Sequence, residues 1–157
     1  MFNCMMHVAL FTENFDEMVD FYVNKMGGKA KSITRFEVYK GKNRGYLSQM
    51  ADEHPNWIFN EYIEMAPGQF LEIFPGSSET MGPVIPMGKN LGYSHFAFTC
   101  DDIFKTREEL EAKGVVFDTE ISKGPSETYQ MWTHDPDGNA FEIMQYTENS
   151  LQVLGNV

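Results

Sequence analysis

Four side chains carry the chemistry that this 157-residue chain offers: His7, Glu72, His95 and Glu142. His7 opens the run His7–Val8–Ala9–Leu10, and His95 opens His95–Phe96–Ala97–Phe98. Glu72 is the middle of Phe70–Leu71–Glu72–Ile73–Phe74, as Glu142 is of Ala140–Phe141–Glu142–Ile143–Met144. A single histidine in such a strand is most simply a hydrogen-bonded core residue. A carboxylate there is harder to place, because an unpaired buried carboxylate is costly and needs a partner or a metal. Glutamates facing solvent on one-sided sheets, with histidines filling core positions, would explain any one of these residues more readily than all four at matched places. Two imidazoles and two carboxylates suit a borderline divalent cation (nickel, cobalt, zinc, iron or manganese) better than calcium. Four such ligands leave two octahedral positions for water or for two adjacent substrate oxygens.

The elements that must position these residues read as one pattern used twice. Residues 4–11 alternate as a strand, and in an extended chain His95 shares a face with Tyr93, Ala97 and Thr99, half-buried, while Phe96 and Phe98 take the other. After the first strand, Asn14 is an N-cap candidate, and Phe15, Met18, Val19, Tyr22 and Met26 recur at helical spacing before Gly27 and Gly28 stop the helix. Strands are expected over residues 29–40, 58–65 and 70–74, with a Pro67–Gly68 hairpin turn and a strand or short helix over 46–50. In the second half the strand bearing His95 ends at Cys100. Asp101 or Asp102 then caps a helix through Ile103, Phe104, Arg107 and Leu110 that Gly114 closes, and strands are expected over 115–121, 128–133 and 140–146. Asp135–Pro136–Asp137–Gly138–Asn139 is a tight turn before the last of them. Each half is thus a βαβββ unit. The histidine and glutamate are 65 residues apart in the first half and 47 in the second, which puts an insertion at about 36–57. Its Tyr46, His54 and Trp57 fit either a lid over the site or a surface loop.

The expected organisation is therefore an α+β protein of two βαβββ modules, at 1–76 and 92–147, joined by a linker at 77–91 that is rich in glycine and proline, with a tail at 148–157. A hydrophobic share of 42% with 13 Phe, 7 Tyr and 2 Trp marks a folded globular chain. The formal charge of −11 argues against nucleic acid and against an anionic membrane surface. Cys4 and Cys100 show no paired spacing and read as buried thiols of a reducing cytoplasm. No apolar run reaches eighteen residues and Met1 leads straight into a strand pattern, so a membrane span and an export signal are not expected.

With His7, Glu72, His95 after Gly92, and the turn leading to Glu142, the chain resembles the vicinal oxygen chelate superfamily, the glyoxalase, bleomycin-resistance and extradiol dioxygenase fold. That resemblance implies curved mixed sheets around a cup-shaped site, a small-molecule substrate and modules that pair within one chain or across a homodimer. Dioxygenases and fosfomycin-type transferases of the family use a three-residue His, His, Glu site, and the similar methylmalonyl-CoA epimerases carry glutamine at the Glu72 place. A carboxylate there resembles the bacterial glyoxalase I quartet. The resemblance thus implies a metal-dependent lyase or isomerase in which Glu142 or Glu72 moves a proton next to two chelating substrate oxygens. The arginine and asparagine that hold glutathione in glyoxalase I have no counterparts, since their neighbourhoods offer Phe11 and Pro75–Gly76. A substrate other than lactoylglutathione is therefore expected, and Arg35, Arg44 and Lys123 are the basic residues placed to approach a cup. Two alternatives are a drug-sequestering binding protein, using Phe11, Phe70, Phe96 and Trp132 as an aromatic cup, and an extradiol dioxygenase.

Overall fold

The computed structural model describes residues 3–89 and 91–157. Met1, Phe2 and Asn90, the last within the expected linker, lie outside the described residues. The chain divides into two compact units, one ending at Pro83 and the other beginning at Val84.

In the first unit β1 (His7–Thr12) leads to α1 (Phe15–Asp20), which continues as a π-helical turn (Phe21–Lys25). Three strands follow: β2 (Lys29–Arg35), β3 (Ile58–Ala66) and β4 (Gln69–Pro75). They form a mixed sheet in the order β1-β4-β3-β2, with β1 parallel to β4 and the other pairs antiparallel. Period-2 alternation sorts the two faces. Leu10, Ile63, Leu71 and Ile73 are buried with Met18, Phe21 and Tyr22 of the helix, and α1 packs on β4. Gly28 is needed where the helix returns to the sheet, because a Cβ there would stand 2.7 Å from Ile63 Cγ2 and 2.8 Å from the Tyr22 carbonyl oxygen.

The insertion adds a 3-10 turn (Phe36–Tyr39) and α2 (Tyr46–Glu53), which pack on one another. Residues 46–50 are therefore helix, and the strand expected over 29–40 ends at Arg35. Its pairing with β3 slips after Ala30 and again after Thr34, and Arg35 Nη1 then donates to the Asn56 carbonyl at 2.6 Å. A short helix α3 (Ser78–Met81) precedes the unit boundary.

The second unit repeats the plan with β5 (Phe96–Thr99), α4 (Ile103–Ala112), β6 (Ser122–Lys123), β7 (Tyr129–His134) and β8 (Ala140–Gln145), ending in α5 (Leu151–Leu154). Its sheet order is β5-β8-β7-β6, again with one parallel pair. Asp102 is the cap of α4, accepting from the Phe104 and Lys105 amides at 3.1 and 3.0 Å. The strand expected over 115–121 is reduced to a single bridge, Phe117 with Thr133. There the side chain of Thr119 accepts the Trp132 amide at 2.9 Å, and Arg107 takes the Thr119 carbonyl at 3.0 Å, replacing ladder bonds. Phe96 stacks on Phe141 in the core, 5.2 Å apart and 7° from parallel, so it is not part of an aromatic cup. The protein is thus α+β, with two four-stranded mixed sheets. No helix among the described residues is long and apolar enough to cross a membrane.

Candidate metal centre

The four residues fall at matching points of the two sheets. In the first unit His7 begins β1, Ala9 pairs with Glu72 on β4, and Glu72 pairs with Tyr62 on β3. In the second, Ala97 pairs with Glu142 on β8 and Glu142 with Trp132 on β7. His95 lies two residues before Ala97, as His7 does before Ala9, although it sits just ahead of β5 rather than within a strand. Period 2 then turns each histidine to the glutamate's side of its sheet.

The side chains meet as two pairs. His7 Nε2 lies 3.3 Å from Glu72 Oε2, and His95 Nε2 lies 3.6 Å from Glu142 Oε2. Each ring is held edge-on by the aromatic residue opposite its glutamate: Tyr62 at 5.9 Å and 75°, Trp132 at 4.7 Å and 63°. The other ring nitrogens are engaged too, Nδ1 of His7 by Met6 Sδ at 2.9 Å and Nδ1 of His95 by Ser94 Oγ at 3.1 Å. Both rings thus present Nε2 to a carboxylate. Neither glutamate is a solvent-facing side chain, with Glu72 9% exposed and Glu142 13%. Among the described residues no group of three or more His, Cys, Asp or Glu side chains converges. The remaining histidines are taken up elsewhere, His54 stacked on Trp57 and His134 paired with Asp118.

Glu72 has neighbours that the sequence reading missed. Asn60, buried on β3, donates its Nδ2 to Glu72 Oε1. The Tyr62 hydroxyl also hydrogen-bonds Glu72, and this bond, with burial and the carboxylate charge, pushes the phenol up to about 12. Asn60 and Tyr62 alternate along β3 on the glutamate's side of the sheet. That alternation, set beside Glu72 in an antiparallel hairpin, was the available signal.

Glu61 was missed as well. It takes the other face of β3, opposite Ile33 and Ile73, and burial pushes its carboxyl up. An acid whose folded-state value is raised stabilises the fold only while protonated, and loses that contribution as pH rises through the folded-state value. Glu61→Gln is therefore expected to raise the midpoint of thermal unfolding at pH 7 and leave it unchanged at pH 4, as differential scanning calorimetry at the two pH values would show.

Of the cations expected near the site, Arg35 and Lys123 are engaged by other groups. Lys123 lies over the Tyr129 ring at 5.2 Å and pairs with Glu127 at 3.6 Å, and Tyr129 in turn meets Phe104 of α4. Lys123 is thus on the helix side of its sheet, away from Glu142. Arg44 is exposed in the turn before α2. Cys4, expected as a buried thiol, is exposed, and Cys100 is half-buried, with burial raising its thiol.

Residues 5–143 match the model of the Glyoxalase/Bleomycin resistance protein/Dioxygenase superfamily. Over 148 residues the chain is 28% identical to a lactoylglutathione lyase of Schizosaccharomyces pombe, covering 90% of this chain and 47% of that protein. It spans about half the length of the curated relatives it matches, 47% and 44% of them. A glyoxalase family protein from Enterococcus faecalis superposes with a TM-score of 0.65 at 20% identity, over 91% of this chain and 98% of the other. The fosfomycin resistance protein FosX from Listeria monocytogenes does so with 0.61 at 16%, over 94% and 97%. The likeness of these two structures is one of fold. With a family match over most of its length and the fold repeated in both halves, the chain belongs to the glyoxalase, bleomycin resistance protein and dioxygenase superfamily.

Proposed function

We propose that the protein is a metal-dependent lyase or isomerase that moves a proton at a carbon next to two neighbouring substrate oxygens. The observation that supports this reading is the imidazole–carboxylate pair set at the same register in both sheets. The donor set fits a borderline divalent cation: each Nε2 faces a carboxylate oxygen while each Nδ1 is otherwise engaged, which fixes ring orientation. The residues proposed to ligate such an ion are His7 with Glu72 and His95 with Glu142, and its Lewis acidity would acidify a C–H beside the substrate oxygens.

The rest of the work belongs to the chain. Glu142 is the base in this reading. Among the described residues, His95 is the polar side chain that the Glu142 carboxylate meets, whereas Glu72 is tied to Asn60 and Tyr62. Glu142 accepts the proton from one carbon and returns it to its neighbour, so the step needs no oxidant or reductant. The substrate is proposed to be uncharged, because Arg35 is bonded to the Asn56 carbonyl and Lys31 and Lys123 are paired with Glu64 and Glu127. A net charge of −11 also opposes the approach of anions.

Metal analysis of the purified protein tests the reading. One divalent cation per chain is expected, lost in His95→Ala, together with metal-dependent exchange of the α-hydrogen of an uncharged α-hydroxyketone for solvent deuterium. A wild-type protein without stoichiometric metal, equal in this to His95→Ala, would instead favour a ligand-sequestering protein. Oxygen uptake with catechols, undiminished by Glu72→Gln, would favour a dioxygenase.

A further inference from the structure

We infer that Tyr62 and Asn60 are positioning residues that hold Glu72 in place as a metal ligand, whereas the matching places beside Glu142 carry Trp132 and Gln130. The inference rests on the metal-dependent reading above and goes beyond it, because it assigns a task to two residues outside the proposed ligand set.

The repeat makes the inequality visible. Opposite Glu72 stands Tyr62, and opposite Glu142 stands Trp132. The phenol can hydrogen-bond its carboxylate and does so; the indole instead places its ring against His95. Two residues earlier on the same strand, the first sheet has Asn60 and the second has Gln130. Asn60 gives its amide hydrogens to Glu72 Oε1. Gln130 turns to the backbone at Gly124, where a Cβ would stand 2.9 Å from its Oε1. Glu72 therefore keeps one oxygen bound to Asn60 and the other facing His7 Nε2, and Tyr62 holds both the carboxylate, through its hydroxyl, and the His7 ring, through its edge.

Asn60 itself points to a positioning role. It is 4% exposed, and its Oδ1 is buried with no hydrogen-bond partner among the described residues. A buried amide with one half unsatisfied weakens a fold relative to an apolar side chain of similar shape. What Asn60 contributes is the orientation of Glu72, whose outer-shell hydrogen bonds set how well a carboxylate is presented to a metal.

The test uses the whole chain and Co2+ alone as probe, with the dissociation constant read by chelator competition and the unfolding midpoint of the metal-free protein read in parallel. Tyr62→Phe and Asn60→Val are each expected to weaken Co2+ binding about 10–100-fold. The double variant should lose less than the product of the two, since both act through one carboxylate. Tyr62→Phe keeps the ring and should keep the midpoint of the metal-free protein. Gln130→Val, at the equivalent place in the other sheet, should bind Co2+ within about threefold of the wild type, well below that second-shell effect. Binding by Tyr62→Phe and Asn60→Val within the same threefold would overturn the inference and leave the metal reading standing. A loss in Gln130→Val equal to that in Asn60→Val would overturn the asymmetry. Failure of the wild type to bind Co2+ would overturn both readings together.

Discussion

Glu142→Gln is expected to lower kcat by about 10²–10⁴-fold, the range in which a positioned proton-transfer group contributes, while a substantial part of metal binding survives. The amide keeps an oxygen that can ligate but cannot accept and return a proton at neutral pH. Glu72→Gln should behave differently. Its amide oxygen can still accept from Tyr62 and Asn60, which hold the side chain where it is. The main loss there is expected in the dissociation constant for the metal, with kcat at saturating metal falling by less than tenfold, below the general-base range. Measuring kcat at saturating Co2+ and the Co2+ dissociation constant for both variants separates the roles, because a pure ligand shows its loss in the second quantity and a base in the first. The opposite pattern, with turnover abolished by Glu72→Gln and spared by Glu142→Gln, would exchange the assignments of base and anchor.

What the sequence disclosed about this site was the repeat, and it did so because both halves keep the same order of side-chain types along a strand. His7 and His95 each stand two residues before an alanine that pairs with the glutamate in the sheet. That register follows from parallel pairing of the first and last strand of each half, which a βαβββ order permits. The partners of the glutamates were not legible. Asn60 and Tyr62 lie on a third strand, and which residues of an antiparallel hairpin face Glu72 depends on where its turn closes. The pairing also slips between Glu64 and Ala66 just before that turn. Side-chain bonds that replace ladder bonds were equally hidden: Thr119 and Arg107 leave residues 115–121 with one bridge where alternation suggested a strand. The unequal histidine-to-glutamate spacing of the two halves points to extra residues at about 36–57, but residues 46–50 offer too few positions to show a helical period.

Phe96 shows how the same alternation could mislead about chemistry, and its neighbour Phe141 supplies the largest stability effect expected in the molecule. Read as strand residues, aromatic rings next to a predicted ligand suggested the wall of a cup. In the structure Phe141 is fully buried, stacks on Phe96 and meets the edge of Phe98 at 5.6 Å and 80°. Removing such a ring leaves a cavity as well as losing its transfer free energy, so Phe141→Ala is expected to cost about 3–5 kcal/mol. That is comparable to the whole stability of a small domain, typically about 5–15 kcal/mol. Phe141→Leu, which keeps most of the volume, should cost about 1–2 kcal/mol. Urea unfolding followed by circular dichroism measures both. Because Phe141 pairs with Phe96 as Glu142 pairs with Ala97, the same ladder that fixes the core sets where the carboxylate stands. Phe141→Ala should therefore lose stability and metal binding together, and Phe141→Leu should retain both in large part. Were the rings a ligand-binding wall instead, Phe96→Ala and Phe141→Ala would unfold near the wild-type urea midpoint and lose only small-molecule affinity. The burial of Phe141 and the parallel stack on Phe96 argue for the first outcome.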